Sequence, residues 1–271
     1  MQQILVAAKV TLTIAFLLYA SWSDYKTREV SNRVWVIFAP SAIFITLAEL
    51  LLSEPSKLLL FGLSVGVTVA IAFILFYSGG FGGADSKALM CIALALPFFP
   101  QTPFAPVLAA GISPLSRYLF PITIFSNAVL FAALSGIVML LLNLKWRLTT
   151  GKKIFEGSLA TESIGKKILV LVTGYKVSIA KLKAKWHIYP MEDIEEENGE
   201  NPLKRKLVVL PRDEGRDKIV ERLSKAVDAG KIDADVLATP GLPMLIFITA
   251  GLIIALLFGD IVWMLVSFAL G

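Results

Sequence analysis

One cysteine, Cys91, and one histidine, His187, are all that 271 residues provide of either type. An intramolecular disulfide is therefore excluded, and so is a multi-cysteine zinc site. Charge is sparse as well. Asp, Glu, Lys and Arg make up 17% of the chain against 56% hydrophobic residues, and the mean hydropathy is +0.73. A soluble domain with a polar surface does not accommodate those values, so the chain reads as an integral membrane protein. The N-terminus lacks a basic region and a small-residue cleavage site, so its apolar run reads as a retained span rather than a removable signal peptide.

Five long apolar segments, at about residues 4–21, 34–52, 58–77, 121–144 and 242–270, each approach the ~20 residues needed to cross a bilayer. A sixth, from about Ser86 to Phe99, is shorter and runs into Pro97, Pro100, Pro103 and Pro106. Six spans are expected, the alternative for the sixth segment being a re-entrant stretch followed by an irregular loop. Lys26, Arg28, Arg33, Lys87, Lys145 and Arg147 then fall on one side and Lys57 and Arg117 on the other. The richer side is expected to be cytoplasmic. Lys9, inside the first segment, is expected to snorkel toward a polar edge, and Cys91 to be a small packing residue.

Residues 145–240 change to the composition of a soluble domain. The expected fold is thus an α-helical polytopic membrane protein, with helices one to five in residues 1–144. A small α/β cytoplasmic domain follows in 145–240, and a sixth helix in 241–271. Within the domain, Lys181, Lys183 and Lys185 alternate with Leu182, Ala184 and Trp186 as in a half-buried strand, and 207–210 is a second strand candidate. Ile219, Val220, Leu223 and Val227 keep helical spacing, with Gly230 as the end. The acidic run Glu192 to Glu200 reads as a solvated loop, and His187 as structural. Basic residues are mixed with nearly as many acids and no nucleic-acid-binding motif accompanies them, so nucleic acid is not an expected partner. Anionic lipid headgroups are.

Two acids stand apart from the rest. Asp24 ends the first apolar segment, and Asp85 follows the glycine-rich stretch Ser78-Gly79-Gly80-Phe81-Gly82-Gly83-Ala84. Carboxylates at membrane boundaries are costly and point to function. Two neighbouring carboxyl groups tend to share one proton, a state suited to peptide hydrolysis by general acid and base without metal or cofactor. The glycines allow unusual dihedrals and close approach of an extended peptide to the acid.

Gly82-Gly83-Ala84-Asp85 resembles the Gly-x-Gly-Asp motif of membrane aspartyl proteases, with Ala84 in place of the second glycine. Asp24-Tyr25-Lys26-Thr27-Arg28-Glu29-Val30-Ser31-Asn32 resembles the first-aspartate segment of prepilin peptidases. The likeness extends over most of the chain and is closest to archaeal preflagellin and type IV prepilin peptidases. It implies removal, at the cytoplasmic face, of short basic leader peptides from preflagellins or prepilins by Asp24 and Asp85, with Gly82, Gly83 and Ala84 as supporting motif. The paired Cys-x-x-Cys domain of bacterial relatives is missing, which argues against a zinc site. Asn32 and Lys87 are secondary candidates, for orienting a carboxylate or water and for setting the charge of the site. Glu49 and Asp260 fall toward the outer side, away from it. The competing readings are a proton-coupled transporter or channel, for which no inverted repeat is visible, a scaffold of pilus or flagellum assembly, and a presenilin-like intramembrane protease.

Overall fold

The computed structural model describes residues 1–100, 106–107, 111–195, 204–209, 215–241 and 243–270. Helices dominate because the long apolar runs satisfy their backbone hydrogen bonds internally, the condition for crossing lipid. They are α1 (Gln2–Thr27), α2 (Asn32–Ser53), α3 (Leu58–Tyr77), α4 (Gly83–Ala95), α5 (Pro114–Tyr118), α6 (Phe120–Thr150), α7 (Ile164–Thr173), α8 (Ile179–Ala184), α9 (Arg216–Asp228), α10 (Met244–Phe258) and α11 (Ile261–Leu270). Among the described residues four helices are long and apolar enough to span, and the bent pair α10 and α11 makes up to five. At 13 residues, α4 reaches only ~20 Å.

The chain divides into two compact units, Met1–Ala132 with Pro243–Gly271, and Ala133–Leu242. In the first, α4 packs against α2 and α3, and α1 packs against α2 and α10. Their shared core includes Leu17, Phe38, Leu89, Ile92, Phe120, Ile124, Ile248 and Leu252. Phe16 stacks on Phe38 with ring centroids 4.7 Å apart. Ser21 Oγ joins α1 to α10, donating to the Leu245 carbonyl at 2.9 Å and lying 2.7 Å from Thr249 Oγ1.

Lys9 does not snorkel. Its side chain is buried and ion-paired with buried Glu49 of α2. The pair borders a cavity of about 440 Å³ that Glu54, Lys57 and Arg117 also line. A facing carboxylate one helix away holds the ammonium inside, where an unpaired one would have to reach water.

The last apolar stretch is not one straight span. Gly259, at φ 83°, ends α10, and α11 leaves at 63°. A Cβ on Gly259 would collide with the Gly111 backbone, so this approach is open only to glycine. Asp260 then caps α11, one carboxylate oxygen accepting from the Trp263 amide at 2.9 Å and the other from the Ser113 hydroxyl at 2.7 Å. Asn127 spans the break, donating to the Gly259 carbonyl and accepting from the Ile261 amide. Asp260 is thus a structural acid whose partners are neutral donors.

The second unit holds β1 (Tyr175–Ser178), β2 (Ile188–Pro190), β3 (Glu192–Glu195), β4 (Lys204–Leu207) and β5 (Asp235–Pro240). One antiparallel sheet has the order β1-β5-β2, with Val177 opposite Val236 and Tyr189 opposite Thr239. The other pairs β3 with β4, Ile194 opposite Arg205. Helix α9 covers the three-stranded sheet's core through Val220 and Leu223, and its extent matches the spacing of Ile219 to Val227.

Three expectations fail here. Lys181 to Trp186 is not a strand. Ser178 caps a helical turn, accepting from the Lys181 amide at 3.3 Å, and buried Ile179 and Leu182 share its inner face. The second strand begins three residues earlier than expected, at Lys204, and meets the expected segment only at Leu207; Leu210 lies outside the described residues. The acidic run is not all solvated loop. Glu192 is fully buried in β3, accepting from the Leu237 amide at 3.1 Å with Arg205 at 3.7 Å, while 196–200 lie outside the described residues.

Candidate active site

Asp24 occupies the last turn of α1. The helix stops because Arg28 turns left-handed, φ 59° and ψ 18°, its amide donating to the Asp24 carbonyl at 2.9 Å. It is the sole non-glycine positive φ among the described residues. The left-handed turn is reinforced by side chains. Ser23 Oγ donates to the Glu29 carbonyl at 2.7 Å, and Thr27 Oγ1 donates to the carbonyls of Ser23 and Glu29. Ser31 then caps α2. Four residues between two helices therefore fix where Asp24 sits.

Asp85 lies in the first turn of α4. Gly82 is the N-cap, and its amide donates to Asp85 Oδ2 at 3.0 Å. An acid at the third helical position that accepts from the N-cap amide is half of a capping box, and it faces the positive end of the helix dipole. A Cβ on Gly82 would lie 3.1 Å from that oxygen, whereas at Gly83 it would make ordinary contact with Phe76 at 3.7 Å. Steric need for glycine beside the acid is therefore confined to Gly82. Gly79, at φ 77°, supplies the turn out of α3, and Phe81 is buried edge-on against Phe125, centroids 5.5 Å apart.

Both carboxyl groups are half-buried, one on α1 and one on α4, helices that pack on one another. The structure also brings together the two secondary candidates. Lys87 Nζ donates to Asn32 Oδ1 at 2.7 Å, tying the N-terminal part of α4 to the start of α2. Glu49 and Asp260 are engaged elsewhere in the bundle. His187 lies in a turn, and its carbonyl accepts from the Gly241 amide at 2.9 Å.

Two polar side chains escaped the sequence reading. Ser86, next to Asp85, and Trp35, one turn beyond Asn32, are 4% and 5% exposed, and neither Ser86 Oγ nor Trp35 Nε1 has a hydrogen-bond partner. A serine and a tryptophan in apolar helices look like ordinary packing residues in sequence, and burial alone distinguishes them. Among the described residues no group of three or more His, Cys, Asp or Glu is placed to hold a metal ion. What the site offers is two acids, one clamped lysine-asparagine pair and unpaired donors nearby.

Residues 11–144, which contain both aspartates, match the model of the type IV leader peptidase family, and residues 166–261 match that of the archaeal peptidase A24 C-terminus, type II. A preflagellin peptidase of Methanococcus maripaludis strain C6 is 25% identical over 167 residues, 61% of this chain and 67% of that protein.

Proposed function

From the premise that this chain belongs to the archaeal preflagellin and type IV prepilin peptidase family, we propose that it is an aspartic endopeptidase for leader peptides. Its substrates are preflagellins or prepilins with short basic leaders, and it cuts them at the cytoplasmic membrane face. What supports this reading is that Asp24 lies in the last turn of α1 and Asp85 opens α4 at the end of the first unit where Lys87 of α4 bonds Asn32 of α2.

The chemistry follows from two carboxyl groups sharing a proton. The ionised member takes a proton from water as the water oxygen attacks the scissile carbonyl carbon. The protonated member donates to the carbonyl oxygen, giving a tetrahedral diol. The carboxyl that took the water proton then gives it to the amide nitrogen, while the other carboxylate takes a proton from a diol hydroxyl. The C–N bond breaks, the amine and the new carboxylic acid leave, and the pair again holds one proton. No cofactor enters the cycle. The Gly82 amide, bonded to Asp85, fixes the orientation of that carboxyl, and Asn32 with Lys87 holds α2 and α4 in register beside the pair. In this reading α4 is a sixth, short crossing shielded by neighbouring helices, and residues 145–240 face the cytoplasm with the aspartates.

The test is cleavage of a preflagellin or prepilin in liposomes by wild type, Asp24→Asn and Asp85→Asn, with a chelator present and folding followed by thermal melting. Both variants are expected to melt like wild type and to lose at least ~10³-fold in turnover, the scale of removing an essential acid or base. Full cleavage by either folded variant would reject the aspartyl pair and return the transporter and scaffold readings.

A further inference from the structure

Helix α7 is coupled to a spanning helix inside the second unit and leaves an apolar stripe uncovered. Its inner side is ordinary core: Val170 is buried with Leu159, Met191, Leu207 and Leu237. Its C-terminal end rests on α6 at residues 136–143. A Cβ on Gly136 would lie 3.1 Å from the Val172 carbonyl, so glycine permits close backbone approach there. Buried Asn143 satisfies the end of the helix, its amide nitrogen donating to the carbonyls of Leu171 and Gly174 at 3.3 and 2.8 Å. Its oxygen accepts from the Lys176 amide at 3.2 Å.

Those α6 positions lie within its apolar run, which continues to Leu144 before Lys145 and Arg147. Gly136 precedes Leu144 by eight residues, ~12 Å along the axis at ~1.5 Å per residue. A helix that touches a span this far inside its apolar run is at lipid depth, not in bulk water. The outer side of α7 agrees: Ile164, Ile168 and Leu169 are 75%, 55% and 48% exposed. Lys166 and Lys167 flank that stripe on either side at ~100° per residue. Lys166 pairs with Glu162 at 2.9 Å, and Lys167 Nζ donates to the Ala160 carbonyl at 2.6 Å, so both ammonium groups sit at the N-terminal, polar end. An apolar stripe with basic flanks is the pattern of a helix lying in the interface of an anionic bilayer.

We propose that α7 is an interfacial membrane helix, with Ile164, Ile168 and Leu169 in the acyl region and the two lysines among anionic headgroups. The hydrophilic region then begins not as a free soluble domain but with an element pinned to the membrane beside α6. This placement does not depend on the peptidase reading, since it concerns lipid contact and not cleavage.

The experiment places single nitroxide-labelled cysteines at Ile164, Ile168, Lys166 and Lys218 in the full chain reconstituted into phosphatidylcholine and phosphatidylglycerol vesicles. Cys91, the native cysteine, is replaced by alanine, and melting verifies each variant. Leu63, exposed on spanning α3, is the lipid reference and Lys218 of α9 the water reference. Labels at 164 and 168 are expected to collide with oxygen and exclude a nickel chelate as the label at 63 does, with 166 intermediate. Nickel access at 168 equal to that at 218 would overturn the proposal. So would exclusion of both reagents, which means protein cover, and spin-spin broadening relieved by unlabelled protein would identify that cover as a second copy.

Discussion

At the scale of single residues, the two aspartates stand out in the sequence as candidates because an ionisable side chain at the edge of an apolar run is conspicuous and expensive. The bond between Lys87 and Asn32 does not. Fifty-five positions separate them, and only the packing of α2 against α4 makes them neighbours. If that bond positions the pair, Asn32→Ala and Lys87→Met should each lower kcat/KM by ~10-fold while retaining some cleavage, the scale of a small misplacement. The double variant should lose little more than either single, and kinetics on the three would show it. Strictly additive losses would mean two separate roles. Lys9 was misread for the mirror-image reason: Glu49, forty residues away, supplies the partner that snorkelling presupposes is missing. In the second unit, Lys176 of β1 donates to the Asp235 carbonyl at 3.3 Å and lies 5.6 Å from the centre of the Trp146 ring. Burial pushes its ammonium below the ordinary lysine value of 10.5, with Glu192 opposing. Between the lowered value and 10.5 the unfolded chain binds more protons than the folded one, so stability should rise as pH climbs through that window. Lys176→Met should abolish that rise, read as melting temperature against pH in the alkaline range.

At the scale of elements, hydropathy located the long helices well because length and composition decide whether a segment crosses lipid. It could not see where a helix breaks. The bend between α10 and α11 depends on Gly259 meeting Gly111 and on Asn127 bridging the gap, contacts made from distant parts of the chain. The period-two reading of 181–186 failed because alternation over six residues also fits a short helix when only Leu182 of that stretch is buried. Ser178 as a cap was the competing signal. Close helix packing leaves one sharp expectation. A Cβ on Gly251 of α10 would lie 2.5 Å from the Ile124 carbonyl oxygen and 3.1 Å from the Ala128 Cβ on α6. Backbone cannot yield as a flexible side chain does, so Gly251→Ala should destabilise by ~1–3 kcal/mol, the range of overpacking. Gly251→Val should cost more. Gly66→Ala, with nothing within 4 Å of its Cβ, should not. Detergent melting curves of the three variants separate a packing constraint from a general intolerance of substitution at helical glycines.

At the scale of the whole molecule, the question is which face of the membrane holds the acids, and the charge balance gives the expectation. Within the first unit the α1 terminus and the starts of α2 and α4 carry Lys26, Arg28, Arg33 and Lys87 at the aspartate end. Lys57 and Arg117 line one cavity at the other end together with Gln2. Lys9 drops out of the comparison, because its ion pair with Glu49 cancels its charge. The bias is four basic residues to two, and residues 145 and 147 add to the richer side by sequence. Basic flanks resist translocation, so the aspartate end should face the cytoplasm. Cysteines introduced at exposed Ser56 and Ser31, in a chain lacking Cys91, test this in intact cells with a membrane-impermeant maleimide. Ser56→Cys should react at once. Ser31→Cys should react only after permeabilisation. The reverse pattern would place Asp24 and Asp85 outside the cell, and a leader peptidase acting at the cytoplasmic face would no longer be tenable, however intact the pair of acids.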